Sequence, residues 1–304
     1  MIGSLLHQRY RIDAEIGQGG MGTVYRAHDT LLDRDVAVKV LNSSGLGTEG
    51  RARLLREAQA VAQLNHPNIV TVYDAGETDG VPFIVMELAT GKNLHDFGTL
   101  TIPQVISTAR QLCDALHYAH QHGTIHRDIK PENILILRTD DRLTAKLMDF
   151  GMAHTIGAEH MTEEGVIVGT ALYLAPELIQ GQTATVRSDL YALGVMLYEC
   201  AAGRPPFTGE NMLAILSQHL HAPVVPPSTF NDKIPPDLDQ LLIRLMSKQP
   251  EDRPDSADET RKTLEEIETH GVTRTPEVEL PLLDRIVRGR LVARDHELEE
   301  ANAD

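Results

Sequence analysis

His126-Arg127-Asp128-Ile129-Lys130-Pro131-Glu132-Asn133 is the stretch on which the reading of this chain turns. An aspartate in a loop is most often a turn former. Here a lysine follows Asp128 by two positions and an asparagine follows it by five. That spacing suits one carboxylate to orient a hydroxyl, one ammonium to neutralise a moving phosphoryl group and one amide oxygen to ligate a metal. Downstream, Asp149-Phe150-Gly151 sets a carboxylate after an apolar strand and before a glycine hinge. A hard cation such as Mg²⁺ takes oxygen ligands, so Asn133 and Asp149 suit it.

Upstream lies Gly17-Gln18-Gly19-Gly20-Met21-Gly22-Thr23-Val24. A dinucleotide-binding fold places such glycines between a strand and a helix. Here strand pattern stands on both sides, so the glycines form a hairpin turn whose backbone N–H groups can close over phosphates. Alone, the segment reads equally well as an ordinary glycine-rich hairpin. Lys39 ends the apolar strand Val36-Ala37-Val38-Lys39, and Glu57 sits on the next helix. Taken singly, the lysine is a snorkelling surface residue and the glutamate a solvated helix charge. Taken as a pair, the glutamate holds the ammonium where it meets the α- and β-phosphates.

The surrounding pattern has two parts. Tyr10 to Ile16 alternates as a half-buried strand, and Thr23 to Ala27, Val36 to Leu41, Ile69 to Tyr73 and Val81 to Glu87 have strand character. Among them, Arg51 to Leu64 has helical period, with Leu54, Ala58 and Val61 on one face. Beyond Gly91 the pattern is mostly helical. Thr101-x-x-Gln104 opens one helix as a capping box, and Ser256-x-x-Glu259 caps the last. Leu190 to Cys200 is apolar nearly all round, as a buried central helix is. A small β-rich lobe thus precedes a larger helical one, joined near Leu88 to Gly91. From Gly271 the composition changes: a polar, proline-bearing linker leads to an amphipathic segment, Leu282 to Leu298, and an acidic end.

The 304 residues, 41% hydrophobic and 24% charged, are ordinary for a globular protein. A net charge of -16 argues against nucleic acid or an anionic membrane as a partner through a general basic surface. Cys113 and Cys200 sit in apolar helical patterns and read as two buried thiols. No window is apolar enough for a membrane span and no signal peptide is evident, so the expected location is cytoplasmic.

In their order and spacing these motifs resemble those of the eukaryotic-like, or Hanks-type, serine/threonine protein kinases, bacterial branch, over about Tyr10 to His270. The resemblance implies the two-lobed α+β kinase fold, with an N-lobe of about 10–88, a C-lobe of about 92–270 and residues 271–304 outside the catalytic domain. It implies ATP with Mg²⁺, or Mn²⁺ in its place, as cofactors, and protein Ser/Thr hydroxyls as substrates. By the same likeness Ile16, Gly17, Gln18, Gly19, Gly20, Met21, Gly22, Thr23 and Val24 cover the nucleotide. Val24, Ala37 and Leu135 sandwich adenine, Met86 is the gatekeeper, and Glu87 to Ala89 is the hinge. Lys39 and Glu57 form an ion pair; Asp128 is the catalytic base, with Lys130 beside it; Asn133 and Asp149 hold the metal.

A second set of implied roles is structural. Glu177 pairs with Arg253, Asp189 holds the catalytic loop, and His126 and Phe150 stack with Val61 and Val72 as an apolar spine. A third set is regulatory. Arg127 grips a phosphate on the activation segment, autophosphorylation falls on Thr162, and the Thr170 hydroxyl contacts Asp128 and Lys130. Relatives often pair through their N-lobes, which makes an N-lobe homodimer the expected assembly. A binding module that had lost transfer would lack one of Lys39, Asp128 or Asp149, and all three are present.

Overall fold

The computed structural model describes residues 1–19, 22–42, 48–140, 142–150 and 172–270. Its first part is an antiparallel sheet built from β1 (Leu5–Leu6), β2 (Tyr10–Gly19), β3 (Gly22–Asp29), β4 (Arg34–Leu41), β5 (Val72–Thr78) and β6 (Val81–Glu87). The strand order is β1-β2-β3-β4-β6-β5, and helix α1 (Thr48–Val61) enters between β4 and β5. Successive side chains of a strand face opposite ways. In β4 this sends Val36, Val38 and Val40 into an outer cluster with Tyr10, Ile12 and Phe83. Ala37 and Leu41 join the main core with Leu54, Ala58 and Val61 of α1. Lys39 shares their parity, and is buried at 6% exposure.

The second part carries a three-stranded sheet of β7 (Lys92–Asn93), β8 (Ile134–Thr139) and β9 (Arg142–Leu147). The helices are α2 (Leu94–Phe97), α3 (Ile102–Gln121), α4 (Pro176–Ile179), α5 (Val186–Ala202), α6 (Met212–His221), α7 (Pro236–Leu245) and α8 (Ala257–His270). The expected caps form: Gln104 Oε1 accepts from Thr101 N–H at 2.9 Å, and Ser256 Oγ accepts from Glu259 N–H at 3.1 Å. Helix α5 is buried along almost its whole length. It approaches α7 so closely that a Cβ on Gly194 would lie 2.6 Å from the Leu245 Cβ.

Two expectations change. Ile69 to Tyr73 does not form the strand; β5 begins at Val72, and Ile69 makes only an isolated parallel bridge to Leu147. The reason is a competing partner. Leu147 N–H donates to Asn68 O at 2.8 Å and Val70 N–H donates to Leu147 O at 2.9 Å, which draws this segment onto β9. Cys113 is buried as expected, but Cys200 is only half-buried. Burial still pushes the Cys200 thiol up to about 12.

Candidate active site

Helix α5 organises the catalytic loop. Asp189, 1% exposed, accepts N–H groups from His126 and Arg127, each at 2.8 Å, and lies 2.8 Å from His120 Nε2. Hydrogen bonds to a buried carboxylate are about twice as strong as neutral ones. They hold Arg127 at a φ of 69°, a left-handed conformation that a non-glycine residue adopts at a cost. Burial lowers the His126 pKa, and the Asp128 N–H aimed at Nδ1 requires that nitrogen to be unprotonated. Its two nitrogens are then distinct: Nδ1 accepts from Asp128 N–H at 3.2 Å and Nε2 donates to Met148 O at 3.0 Å. The ring also packs on Phe150 at 4.5 Å between centroids with the planes tilted by 48°, which brings together two members of the expected spine.

Asp128 is thereby presented with its side chain engaged. Lys130 Nζ lies 2.8 Å from Asp128 Oδ2. Asn133 Nδ2 donates to the same oxygen at 2.9 Å and to the Asp128 carbonyl at 2.7 Å. That use of its nitrogen leaves the Asn133 amide oxygen as an acceptor. Asp149 follows β9 with a φ of 63°. Its Oδ1 is buried and has no hydrogen-bond partner among the described residues. An orphaned carboxylate oxygen and an amide oxygen left as an acceptor are the donor types a hard cation takes along with phosphate oxygens.

The expected Lys39–Glu57 pair is not made. Lys39 Nζ lies 2.8 Å from Asp149 Oδ2. Glu57 lies 3.6 Å from Arg127 Nη1 of the catalytic loop and 3.6 Å from Arg53 one turn back on α1. Each of the two charges has found another partner of opposite sign. Sequence fixes the signs of these groups and not which cation meets which anion.

The glycine-rich segment is the hairpin of β2 and β3, in register Gly17↔Val24, Gln18↔Thr23 and Gly19↔Gly22. Gly22 has a φ of 149°, and a Cβ there would lie 2.1 Å from Val40 O, so only glycine fits. Ala37 pairs with Met86 across β4 and β6, and Val24 packs on the core that contains both. Glu87 ends β6 and Ala89 follows it. Leu135 lies in the other sheet, its Cγ 3.2 Å from where a Cβ on Gly91 would be, which puts it beside the end of the hinge. Ile16 stands half-exposed at the approach to the glycines. Gly20, Met21, Thr162 and Thr170 fall outside the described residues.

A buried ion pair frames the site from below. Arg253 donates from Nη1 and Nη2 to the two oxygens of Glu177, each at 2.8 Å, and Ser188 Oγ donates to Glu177 at 2.7 Å. Burial opposes the Glu177 charge, but these bonds outweigh it and lower its pKa. Nearby, burial and then Arg253 push the Lys248 ammonium down to about 8. The protein kinase domain family matches residues 10–264 of this sequence.

The chain belongs to the protein kinase family.

This kinase domain is 40% identical over 286 residues to serine/threonine-protein kinase PknB of Mycobacterium tuberculosis, a match covering 90% of this chain and 45% of that protein. It is 39% identical over 277 residues to a probable serine/threonine-protein kinase of Clostridium acetobutylicum, covering 90% and 42%. The kinase domain thus spans less than half the length of the curated relatives it matches. Among solved structures it superposes on the M. tuberculosis PknI kinase domain with a TM-score of 0.69 at 30% identity, covering 90% of this chain and 99% of that one.

Three site-side residues escape the motif reading. His120 bonds Asp189; its signal is its place four residues after Leu116 on the apolar face of α3. Tyr173 donates to Glu199 Oε2 at 2.6 Å, and burial together with that carboxylate raises its pKa. Lys146 pairs with Glu87 at 2.8 Å, and no motif marks it.

Proposed function

We propose that this kinase domain transfers the γ-phosphate of ATP to serine and threonine hydroxyls of proteins, itself included. The observation that carries the reading is the Asp128–Lys130–Asn133 constellation, fixed from behind by Asp189. In this reading Asp128 orients the substrate hydroxyl and receives its proton. Lys130 balances the charge of Asp128 and of the phosphoryl group in transit. Lys39 meets the α- and β-phosphates. Asn133 and Asp149 hold Mg²⁺, which when bound neutralises the phosphate oxygens. Such a site works by positioning and preorganised charge, with little covalent chemistry from the protein.

The further assignments go with this reading. Residues 10–270 form the catalytic domain, and 271–304 lie beyond it. Arg127 receives a phosphate carried on Thr162. Two copies pair through the small lobe. Leu31 and Leu32 support that pairing, since they stand 72% and 55% exposed at the β3–β4 turn. Beside them lies Asp29, held by Arg9 at 2.7 Å. No described helix is long and apolar enough to cross a membrane, and we place the domain in the cytoplasm.

The test is incubation of the purified chain with radiolabelled ATP and Mg²⁺. Phosphothreonine or phosphoserine on the protein, absent in Asp128→Asn, is the expected result. Nucleotide binding without any transfer would overturn the reading in favour of a binding module.

A further inference from the structure

The hinge is tied to the large lobe by an ion pair that lies apart from the catalytic groups. Lys146 Nζ is 2.8 Å from Glu87 Oε1 and 2.9 Å from Oε2. Glu87 ends β6, where the chain enters the hinge, and Lys146 lies in β9, opposite Leu135 of β8. The pair is sheltered: its side chains are 14% and 25% exposed, so it is screened less than a pair on the open surface.

The clamp is continuous with a wider block. Glu87 Oε2 accepts from Thr71 N–H at 3.3 Å, and Glu87 N–H donates to Thr71 O at 2.9 Å. Thr71 closes the connector that Asn68 and Val70 fasten to Leu147, and Asn68 Nδ2 donates to Ala145 O at 2.8 Å. Connector, hinge entrance and β9 are therefore one hydrogen-bonded unit. Leu147, in that unit, is two residues from Asp149.

We propose that Lys146 is a positioning residue for nucleotide binding, clamping Glu87 so that the hinge main chain stands at a fixed height over Leu135. The proposal rests on the reading of Glu87 to Ala89 as the adenine-binding hinge. A hinge that binds through backbone groups has no side chain to adjust, so its geometry must be set from outside. Without the ammonium, the half-buried Glu87 carboxylate keeps only the Thr71 N–H and turns toward water. The end of β6 moves with it. The catalytic loop keeps a separate anchor, since Asp189 on α5 accepts the His126 and Arg127 N–H groups from outside the clamp.

The test uses the full chain as Lys146→Met and Lys146→Arg. Kinetics are measured with ATP and a generic protein substrate such as myelin basic protein, and affinity for Mg²⁺·ADP by calorimetry. In Lys146→Met, KM for ATP and Kd for Mg²⁺·ADP rise about tenfold while kcat stays within about twofold, the pattern of lost uniform binding. Lys146→Arg, which keeps the charge, stays near the wild-type values. The exchange Glu87→Lys with Lys146→Glu recovers affinity relative to either single variant, a comparison that holds even where Lys146→Met folds poorly. Unchanged nucleotide affinity in Lys146→Met, or a fall in kcat alone, would overturn the proposal. A wild-type chain that fails to bind Mg²⁺·ADP would instead overturn the functional reading on which it rests.

Discussion

The two sides of the active site are held by different means. On the large-lobe side, the His126 and Arg127 N–H groups donate to Asp189 and Asn133 Nδ2 donates to Asp128, all within 2.7 to 2.9 Å, with the Lys130–Asp128 ion pair added to that hydrogen-bonded frame. On the small-lobe side, Lys39 and Glu57 are held by ion pairs with Asp149 and Arg127. Hydrogen bonds to backbone amides define one geometry. Ion pairs between side chains define a set of exchangeable partners, each allowed by charge. The large lobe therefore carries a finished catalytic loop, and the small lobe carries the variable half of the site.

The comparison can be broken or sharpened. The largest effect belongs to the finished half. Asp128→Asn removes the proposed base but keeps the shape, so kcat should fall by about 10²–10⁴-fold while affinity for Mg²⁺·ATP is retained. Rapid-quench kinetics with parallel calorimetry checks both halves of that statement, and an equal loss of affinity would show that Asp128 is no separate chemical group.

Next comes the frame beneath that loop. Arg253→Met leaves the Glu177 carboxylate buried with only the Ser188 hydroxyl as a side-chain donor, and breaking such a pair costs about 3–5 kcal/mol. Urea unfolding followed by circular dichroism measures it. A loss below about 1 kcal/mol, the value of an exposed pair, would mean that the pair is not a structural support.

The smallest effect belongs to the variable half. Glu57 makes long, partly exposed ion pairs at 3.6 Å with Arg53 and Arg127. Pairs of that kind are worth about 1 kcal/mol or less, so Glu57→Ala should lower kcat/KM by about tenfold or less. The drop should be smaller than in Lys39→Met, which removes the ammonium proposed to meet the phosphates. Steady-state assay of the two variants side by side decides the order, and a larger loss in Glu57→Ala would reverse the contrast between the lobes.

What the sequence disclosed follows the same division. The catalytic loop and the glycine hairpin were legible because their residues sit in contiguous motifs, whereas the role of Asp189 and the Glu177–Arg253 pair, 76 residues apart, came from the family resemblance alone. The Lys39 and Glu57 partners were not legible, because sequence gives a charge and not its choice among near neighbours. The Lys146–Glu87 clamp was hidden for another reason: its members are 59 residues apart and belong to no periodic signal. The start of β5 was misplaced because Ile69 and Val70 have strand propensity, and the hydrogen bonds that recruit them come from Leu147, far along the chain.

Asp189 grips amides, and an amide is common to every residue type except proline. The side chain at position 127 is therefore not what holds the loop, and any residue that tolerates the left-handed backbone there keeps the bond to Asp189. On the proposed role of Arg127 as the phosphate receiver, mutation there changes how the domain answers to phosphate while the amide grip on the loop is kept. Control and chemistry, adjacent in the chain, are separable under selection.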